Sequence, residues 1–411
     1  MENLSLSELE QILSQRLIVS HYQPIISVKQ KRTIGLEALS RGINPSDQSM
    51  VPPPVLFQAA EKFNKIVEVD RLCRDKALEN FAQLHKSNPD LLLFVNFDTS
   101  MVDKGIVGSG NFLQAVRRYG INPRNIVIEL VESRVNELSE LISFISMYRE
   151  QGLLIALDDF GAGHSNLERI SHIKPNIIKI DRTLICNVQN EFYKQEILRA
   201  SIKMANQLGV MVLSEGVETR QEVFKTLELD TDLLQGFYFS RPSVLENISF
   251  AQTDHLIRKT ASEYFNQAIS RIKTENERFR NFQNLSFAML SVLKSSPAGN
   301  MEDEIRNMIS SYSIIECAYV LDSSGRQTTS TLINNGYLSK RRGNSLFKPA
   351  QCGDDHSLKD YYVYIQAGLN KFITAPYISL ATGSLCRTIS MTYFTADKKK
   401  CILCLDIREN A

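Results

Sequence analysis

The 411-residue sequence lacks an excess of charge of either sign: 47 Lys and Arg face 46 Asp and Glu, a formal net charge of +1. A binder of nucleic-acid polymers carries a basic surplus that steers it over long range, so no such partner is expected and function must reside in local sites. Long apolar runs are missing as well. No stretch approaches the ~20 uninterrupted apolar residues of a membrane span. The start, MENLSLSELEQILSQR, carries acids where a secretory signal needs a basic and then an apolar run. The expected location is therefore the cytoplasm. Cysteine is scarce; seven, an odd number without a regular framework, suit reduced thiols acting as small hydrophobes. The six histidines (His21, His85, His164, His172, His255 and His356) show no metal-ligand spacing and are expected on the surface or in loops. Neither an internal repeat nor a low-complexity tract is present.

What remains is an ordinary globular composition, 43% hydrophobic and 23% charged, long enough for two or three domains, or for a barrel of about 250 residues plus a smaller domain. Between about 20 and 245, short β-branched runs alternate with amphipathic segments, the pattern of parallel strands joined by crossover helices. Strands are expected at 22–28, 34–39, 91–97, 126–130, 153–157, 177–180, 210–214 and 234–238. From the third onward they recur at the length of a βα unit, and eight of them suggest a closed barrel. Prolines 52, 53 and 54 sit where the first turn of a helix needs no N–H, ahead of VLFQAAEKF. The segment 191–208 places Phe192, Ile197, Ala200, Ile202, Ala205 and Leu208 largely on one face, as expected for an outer helix.

Past Pro242 a long charge-laced helical region follows, with Ile257, Ala261, Tyr264, Ala268 and Ile272 at three- and four-residue steps. The expected division is a barrel at 1–250, a connector helix at 251–295 and a smaller α+β domain at 296–411. In the last, CAYVLD, KFITAPYIS, CRTISMTYF and KCILCLDI alternate as an antiparallel sheet does.

The acids of the barrel half fall at the ends of the strand-like runs: Glu37 in IGLEALSR, Glu129 in IVIEL, Asp158 and Asp159 in LIALDDFGAG, Glu215 in VMVLSEGVE. Asn96, Lys179 and Gln235 occupy equivalent places. One such acid merely caps a helix or tops a strand in solvent. Five that converge on one barrel mouth cannot all stay ionised without counter-cations. Oxygen donors without His or Cys suit Mg²⁺ or Mn²⁺ rather than Zn²⁺, and two such ions are the apparatus of phosphoester hydrolysis.

Glu37-Ala38-Leu39 with Arg41, VNF at 95–97, IELVES at 128–133, DDFGAGHSNL at 158–167, IKID at 178–181, SEGVET at 214–219 and QGFYFSRP at 235–242 resemble, in order, the motif set of EAL-domain phosphodiesterases. The resemblance implies a modified (β/α)₈ (TIM) barrel that opens cyclic di-GMP to linear pGpG with two Mg²⁺ or Mn²⁺ ions. By motif position, Glu37, Asn96, Glu129 and Asp158 would hold one ion, and Asp159 with Asp158 and Glu215 the second. Lys179 would orient the attacking water. Gln23, Arg41, Asp181, Glu218 and Gln235 would contact guanines or phosphates. Glu132 and the loop of Gly161, Ala162, Gly163, His164 and Ser165 would link the metal site to dimerisation. That loop departs from the usual DFGTGYS at Ala162 and His164; Val131 and Ser214 replace the usual Thr and Ala. The intact set of acids favours an active enzyme over a cyclic di-GMP receptor or a protein-interaction scaffold. No GG[DE]EF signature for a cyclase is present.

The region 296–411 resembles PAS- or Cache-type sensor domains in patterning, which implies a small ligand of unknown identity and, through the connector, regulation of a homodimer. Cys401 and Cys404, three apart on a strand, face opposite sides and are expected to be packed thiols. Lys340-Arg341-Arg342 is either a solvated turn or a contact for an anion.

Overall fold

The structure, a computed structural model, describes residues 4–97, 110–131, 138–162, 167–295, 301–334, 336 and 347–408. It divides into two compact units, 1–270 and 271–411. Among the described residues no helix is long and apolar enough to cross a membrane.

The first unit is a barrel of eight strands with a short extra edge strand. The strands are β1 (Ile18–Ser27), β2 (Arg32–Ile43), β3 (Met50–Val51), β4 (Leu92–Phe97), β5 (Ile126–Val131), β6 (Leu154–Phe160), β7 (Ile177–Ile180), β8 (Met211–Ser214) and β9 (Leu233–Leu234). They run in the order β1-β9-β8-β7-β6-β5-β4-β2-β3, and β1–β2 pairing closes the ring. Ile25, Ile34, Phe94, Val127, Ala156, Ile177, Leu213 and Leu233 form one cluster, one residue from each of the eight strands. A larger cluster of Ile, Leu, Val and Phe lies between the strands and their helices.

Two expectations about the strands are corrected. The ring is not wholly parallel: β1 pairs antiparallel with both β2 and β9. The four residues between β1 and β2 are too few for a crossover, and only an antiparallel hairpin can be linked that tightly. The last strand is two residues, not five, because the chain turns at Gly236, where a Cβ would lie 2.0 Å from the Val217 carbonyl oxygen.

The outer helix Phe192–Gln207 buries Leu198, Ile202 and Ala205 and leaves Phe192, Tyr193, Ile197 and Leu208 exposed. Its inner face is thus rotated from the one the spacing suggested, because Leu198 and not Ile197 meets the sheet. The histidines also differ from expectation. His85 is buried, accepting a hydrogen bond from the Asn122 N–H at 3.3 Å and stacking on Phe81. His356 is buried as well. His164 and Lys340-Arg341-Arg342 lie outside the described residues.

A single helix spans Phe250–Ser295, and the division between the units falls within it. Ile257, Ala261 and Tyr264 pack on the barrel core, whereas Phe265, Ile269, Ile272 and Phe279 are exposed.

The second unit carries its own antiparallel sheet: β10 (Ile315–Asp322), β11 (Leu332–Ile333), β12 (Lys371–Ile373), β13 (Tyr377–Ile378), β14 (Leu385–Phe394) and β15 (Lys400–Arg408), in the order β11-β10-β15-β14-β12 with β13 on β14. Cys401 and Cys404 join different apolar clusters on the two faces of β15, as their spacing requires. All seven cysteines are free thiols.

Candidate active site

The parallel strands β2, β4, β5, β6, β7 and β8 end at one mouth, so residues far apart in sequence meet there. Register places Asn96 beside Glu129 and Val131 beside Asp158. At the centre stands Lys179, 1% exposed. Its Nζ lies 2.5 Å from Glu129 Oε1, 2.7 Å from Glu215 Oε1, 3.1 Å from Asp158 Oδ1 and 3.6 Å from Glu37 Oε1. Asn96 donates to Glu37 Oε1 at 3.3 Å. Gln235, held beside β8 by its backbone, donates from Nε2 to Glu37 Oε2 at 2.5 Å and to Gln23 Oε1 at 3.0 Å. Gln23 is also the register partner of Glu37 across the β1–β2 hairpin.

Four carboxylates around one ammonium leave the cluster with excess negative charge. Burial alone would lower the Lys179 pKa, yet Asp158, Glu129, Glu215 and Glu37 together hold it well above its ordinary value. Burial, then repulsion from Glu37, pushes Glu129 well up. Burial also raises Glu215, to about 8. For Glu37 burial is outweighed by the attraction of Lys179 and the Gln235 hydrogen bond, so it stays below the ordinary value. Acids pushed apart in this way mark a functional site.

Asp158 and Asp159 differ in burial and backbone. Asp159 has φ +57 at a break in the β6–β7 register. The Asp159 N–H donates to Asp158 Oδ1 at 3.0 Å. Asp158 is buried against Lys179, whereas Asp159 is exposed. Next come Gly161 at φ +98 and the exposed Ala162, whose N–H donates to the Asp159 carbonyl at 3.1 Å. Glu132, Gly163, His164 and Ser165 lie outside the described residues.

Of the expected substrate contacts, Gln23 and Gln235 are buried beside Glu37, whereas Arg41, Asp181 and Glu218 are more exposed. Asp181 caps the helical turn Arg182–Ile185, accepting from the Thr183 N–H at 2.8 Å. Glu218 is exposed and pairs with Arg182 at 2.7 Å. Arg41, half-buried, donates to the Ser40 carbonyl and lines a cavity of about 380 Å³ with Asn96, Asp70 and Arg74. Burial lowers the Arg41 pKa, while Glu37 opposes that shift.

Two further residues support the site. Arg74 pairs with Asp70 on the helix Ile66–Ser87, and its guanidinium lies 4.0 Å from the Phe97 ring centre, one residue beyond Asn96. Glu222 is 4% exposed and accepts the N–H groups of Asn187, Glu218 and Thr219 at 3.0, 2.9 and 2.9 Å, fastening the loop that carries Glu215 and Glu218. The signal for Glu222 was present as the capping box Thr219-x-x-Glu222.

The mouth suits divalent cations by its chemistry. Among the described residues the anionic groups of the mouth are all carboxylates, the preference of hard cations, and Glu129 Oε2 is buried with no hydrogen-bond partner among them. With the Lys179 ammonium where the acids converge, no three of the described His, Cys, Asp or Glu side chains are spaced to hold a metal as they stand.

The chain is similar to Bacillus subtilis YkuI, an uncharacterized EAL-domain containing protein, at 25% identity over 390 residues and 91% of each chain. It is 29% identical over 237 residues to the cyclic di-GMP phosphodiesterase NbdA of Pseudomonas aeruginosa, covering 57% of this chain but 30% of NbdA. The B. subtilis signaling protein YkoW matches at 30% over 236 residues, 57% of this chain and 29% of that protein. The chain thus spans under a third of the length of YkoW and NbdA. Among solved structures, YkuI in complex with substrate c-di-GMP and calcium shares the fold over 99% of this chain and all of its own, with a TM-score of 0.79 and 23% identity. The PaMucR phosphodiesterase in complex with c-di-GMP matches 59% of this chain and 98% of its own at a TM-score of 0.53 and 27% identity. The EAL domain pattern matches residues 6–242, and the protein belongs to this family, whose members hydrolyse cyclic di-GMP.

Proposed function

We propose that the barrel hydrolyses cyclic di-GMP to linear pGpG. The observation that carries this reading is the cluster of Glu37, Glu129, Asp158 and Glu215 around Lys179, with Glu129 Oε2 left without a hydrogen-bond partner among the described residues. Glu37, Asn96, Glu129 and Asp158 would hold one Mg²⁺ or Mn²⁺, and Asp159, Asp158 and Glu215 a second. Bound, such ions polarise a phosphodiester and lower the pKa of water toward neutrality. Lys179, fixed by four carboxylates, offers a rigid ammonium that orients the attacking water and meets charge developing on phosphorus oxygens. Arg41 at the rim of its cavity is a charge-assisted donor for a phosphate. Gln235, itself bonded to Gln23, orients Glu37, and the two amides would contact the ligand. Asp181 and Glu218 stand on the loops beyond β7 and β8, where guanine edges would lie.

Binding and turnover separate this reading from a receptor. Wild type and Glu37→Ala are compared for cyclic di-GMP affinity and for pGpG formation with Mn²⁺ or Mg²⁺. Turnover lost in the variant supports the enzyme; equal, tight binding without product in wild type selects the receptor, which Ala162 and His164 in the loop after Asp159 favour.

The second unit is read as a PAS- or Cache-like sensor that regulates the barrel of a homodimer. Exposed Phe265, Ile269, Ile272 and Phe279, with Asn276 between the last two, follow steps of 4, 3, 4 and 3 on the helix Phe250–Ser295. This is a heptad seam with one polar core position, the pattern by which two copies pair in register. In a parallel pair Glu275 and Arg280 would face each other across it.

A further inference from the structure

Within the second unit a cavity of about 570 Å³ opens among β10, β13, β15 and the helix Asp360–Gln366, a size that takes a small organic molecule. Tyr319, Tyr361 and His356 form an aromatic wall, their ring centres 5.4 to 6.1 Å apart. Tyr377 also lines the cavity.

Asp406, also in the lining, is 3% exposed. Among the described residues every donor on it is neutral: Thr388 Oγ1 at 2.7 Å, Cys317 Sγ at 3.2 Å, Tyr377 OH at 3.4 Å and Ser379 Oγ at 3.5 Å. A second buried carboxylate, Glu316, acts on it by repulsion, and Glu316 Oε1 has no hydrogen-bond partner among the described residues. Burial pushes the Asp406 carboxyl up to about 6. A buried carboxylate facing hydroxyls, a thiol and another acid lacks the counter-charge that such groups ordinarily have. His356 supplies an independent sign. It is 7% exposed, its Nδ1 is engaged by Tyr361 OH at 2.6 Å, and its Nε2 is buried with no partner among the described residues. Lys348 and Lys359 line the rim but are exposed, so their charges stay in water.

The geometry points to this cavity as a binding site for a small organic cation, a primary or secondary ammonium. Its N–H groups bond the Asp406 carboxylate and His356 Nε2, and its carbons lie against the Tyr319 and Tyr361 rings. The site is independent of the barrel chemistry.

The test is calorimetric titration of the full chain at neutral pH with methylammonium, ethanolamine, putrescine and phenethylamine, beside the neutral counterparts ethylene glycol and 2-phenylethanol. At least one amine binds saturably at one site, and its neutral counterpart binds about tenfold more weakly or not at all. Asp406→Asn, which keeps the acceptor for Thr388, loses about tenfold or more in affinity. Ala375→Trp, which fills the cavity from an exposed wall position and leaves the buried network untouched, abolishes binding. No binding by any of the four amines, equal binding of the alcohols, or wild-type affinity in Ala375→Trp overturns the proposal.

Discussion

Removing the Glu222 carboxylate isolates the contribution of one buried acceptor to the barrel and to the loop above the mouth. In Glu222→Ala, the N–H groups of Asn187, Glu218 and Thr219 lose their acceptor at once. Each stranded donor costs about 1–3 kcal/mol if it stays dry. Asn187, Glu218 and Thr219 lie at the surface, so water recovers part of that and the expected loss is about 2–5 kcal/mol. The pH dependence has a fixed sign. Burial alone would raise the Glu222 pKa, but the three N–H groups hold it below its ordinary 4.5. A carboxyl depressed in the folded state contributes fully above the unfolded value and loses that contribution as pH falls through the folded one. Urea denaturation followed by circular dichroism should therefore show the full gap between wild type and Glu222→Ala at neutral pH and a narrowing gap below about pH 4.5. A gap under about 1 kcal/mol, or one that widens in acid, refutes the reasoning.

Two other outcomes follow from the same geometry. Lys179→Met leaves four buried carboxylates facing one another, so without metal the protein should melt earlier, by the equivalent of about 3–5 kcal/mol, with Mn²⁺ restoring part of it; a melt indifferent to both changes would contradict the electrostatic account. Ile272→Glu buries like charges in the heptad seam, and sedimentation should show dimers of wild type but monomers of the variant, unchanged sedimentation arguing against the seam.

Local patterns were legible where the chain itself decides. The run 177–180 is β7 residue for residue, and the acids and Lys179 at strand ends were visible as polar interruptions of apolar segments. The direction of β1 is not visible in the alternation of apolar and polar residues, because strand polarity depends on how long the following connection is, and the short link to β2 permits only a hairpin. The pairing of β9 with β8 stops at Leu234 because Gly236 must nestle against Val217, a contact between loops that no single segment encodes. Residues 192–208 offered two overlapping apolar faces, and only the sheet beneath selected Leu198 over Ile197. The burial of His85 and His356, the Asp70–Arg74 pair beneath Asn96 and the Tyr-lined cavity of the second unit arise from tertiary packing of residues that look polar and ordinary in sequence.

The claim that the acidic mouth is a metal-dependent phosphodiester site is tested most directly by the initial rate of pGpG formation from cyclic di-GMP by metal-stripped protein as Mn²⁺ or Mg²⁺ is added back. The account predicts no product without metal, a saturable rise with it, and a loss of about 10²-fold or more in Glu129→Gln, which keeps the size of the side chain but removes its charge. Cyclic di-GMP bound tightly yet left intact at every metal concentration would contradict it.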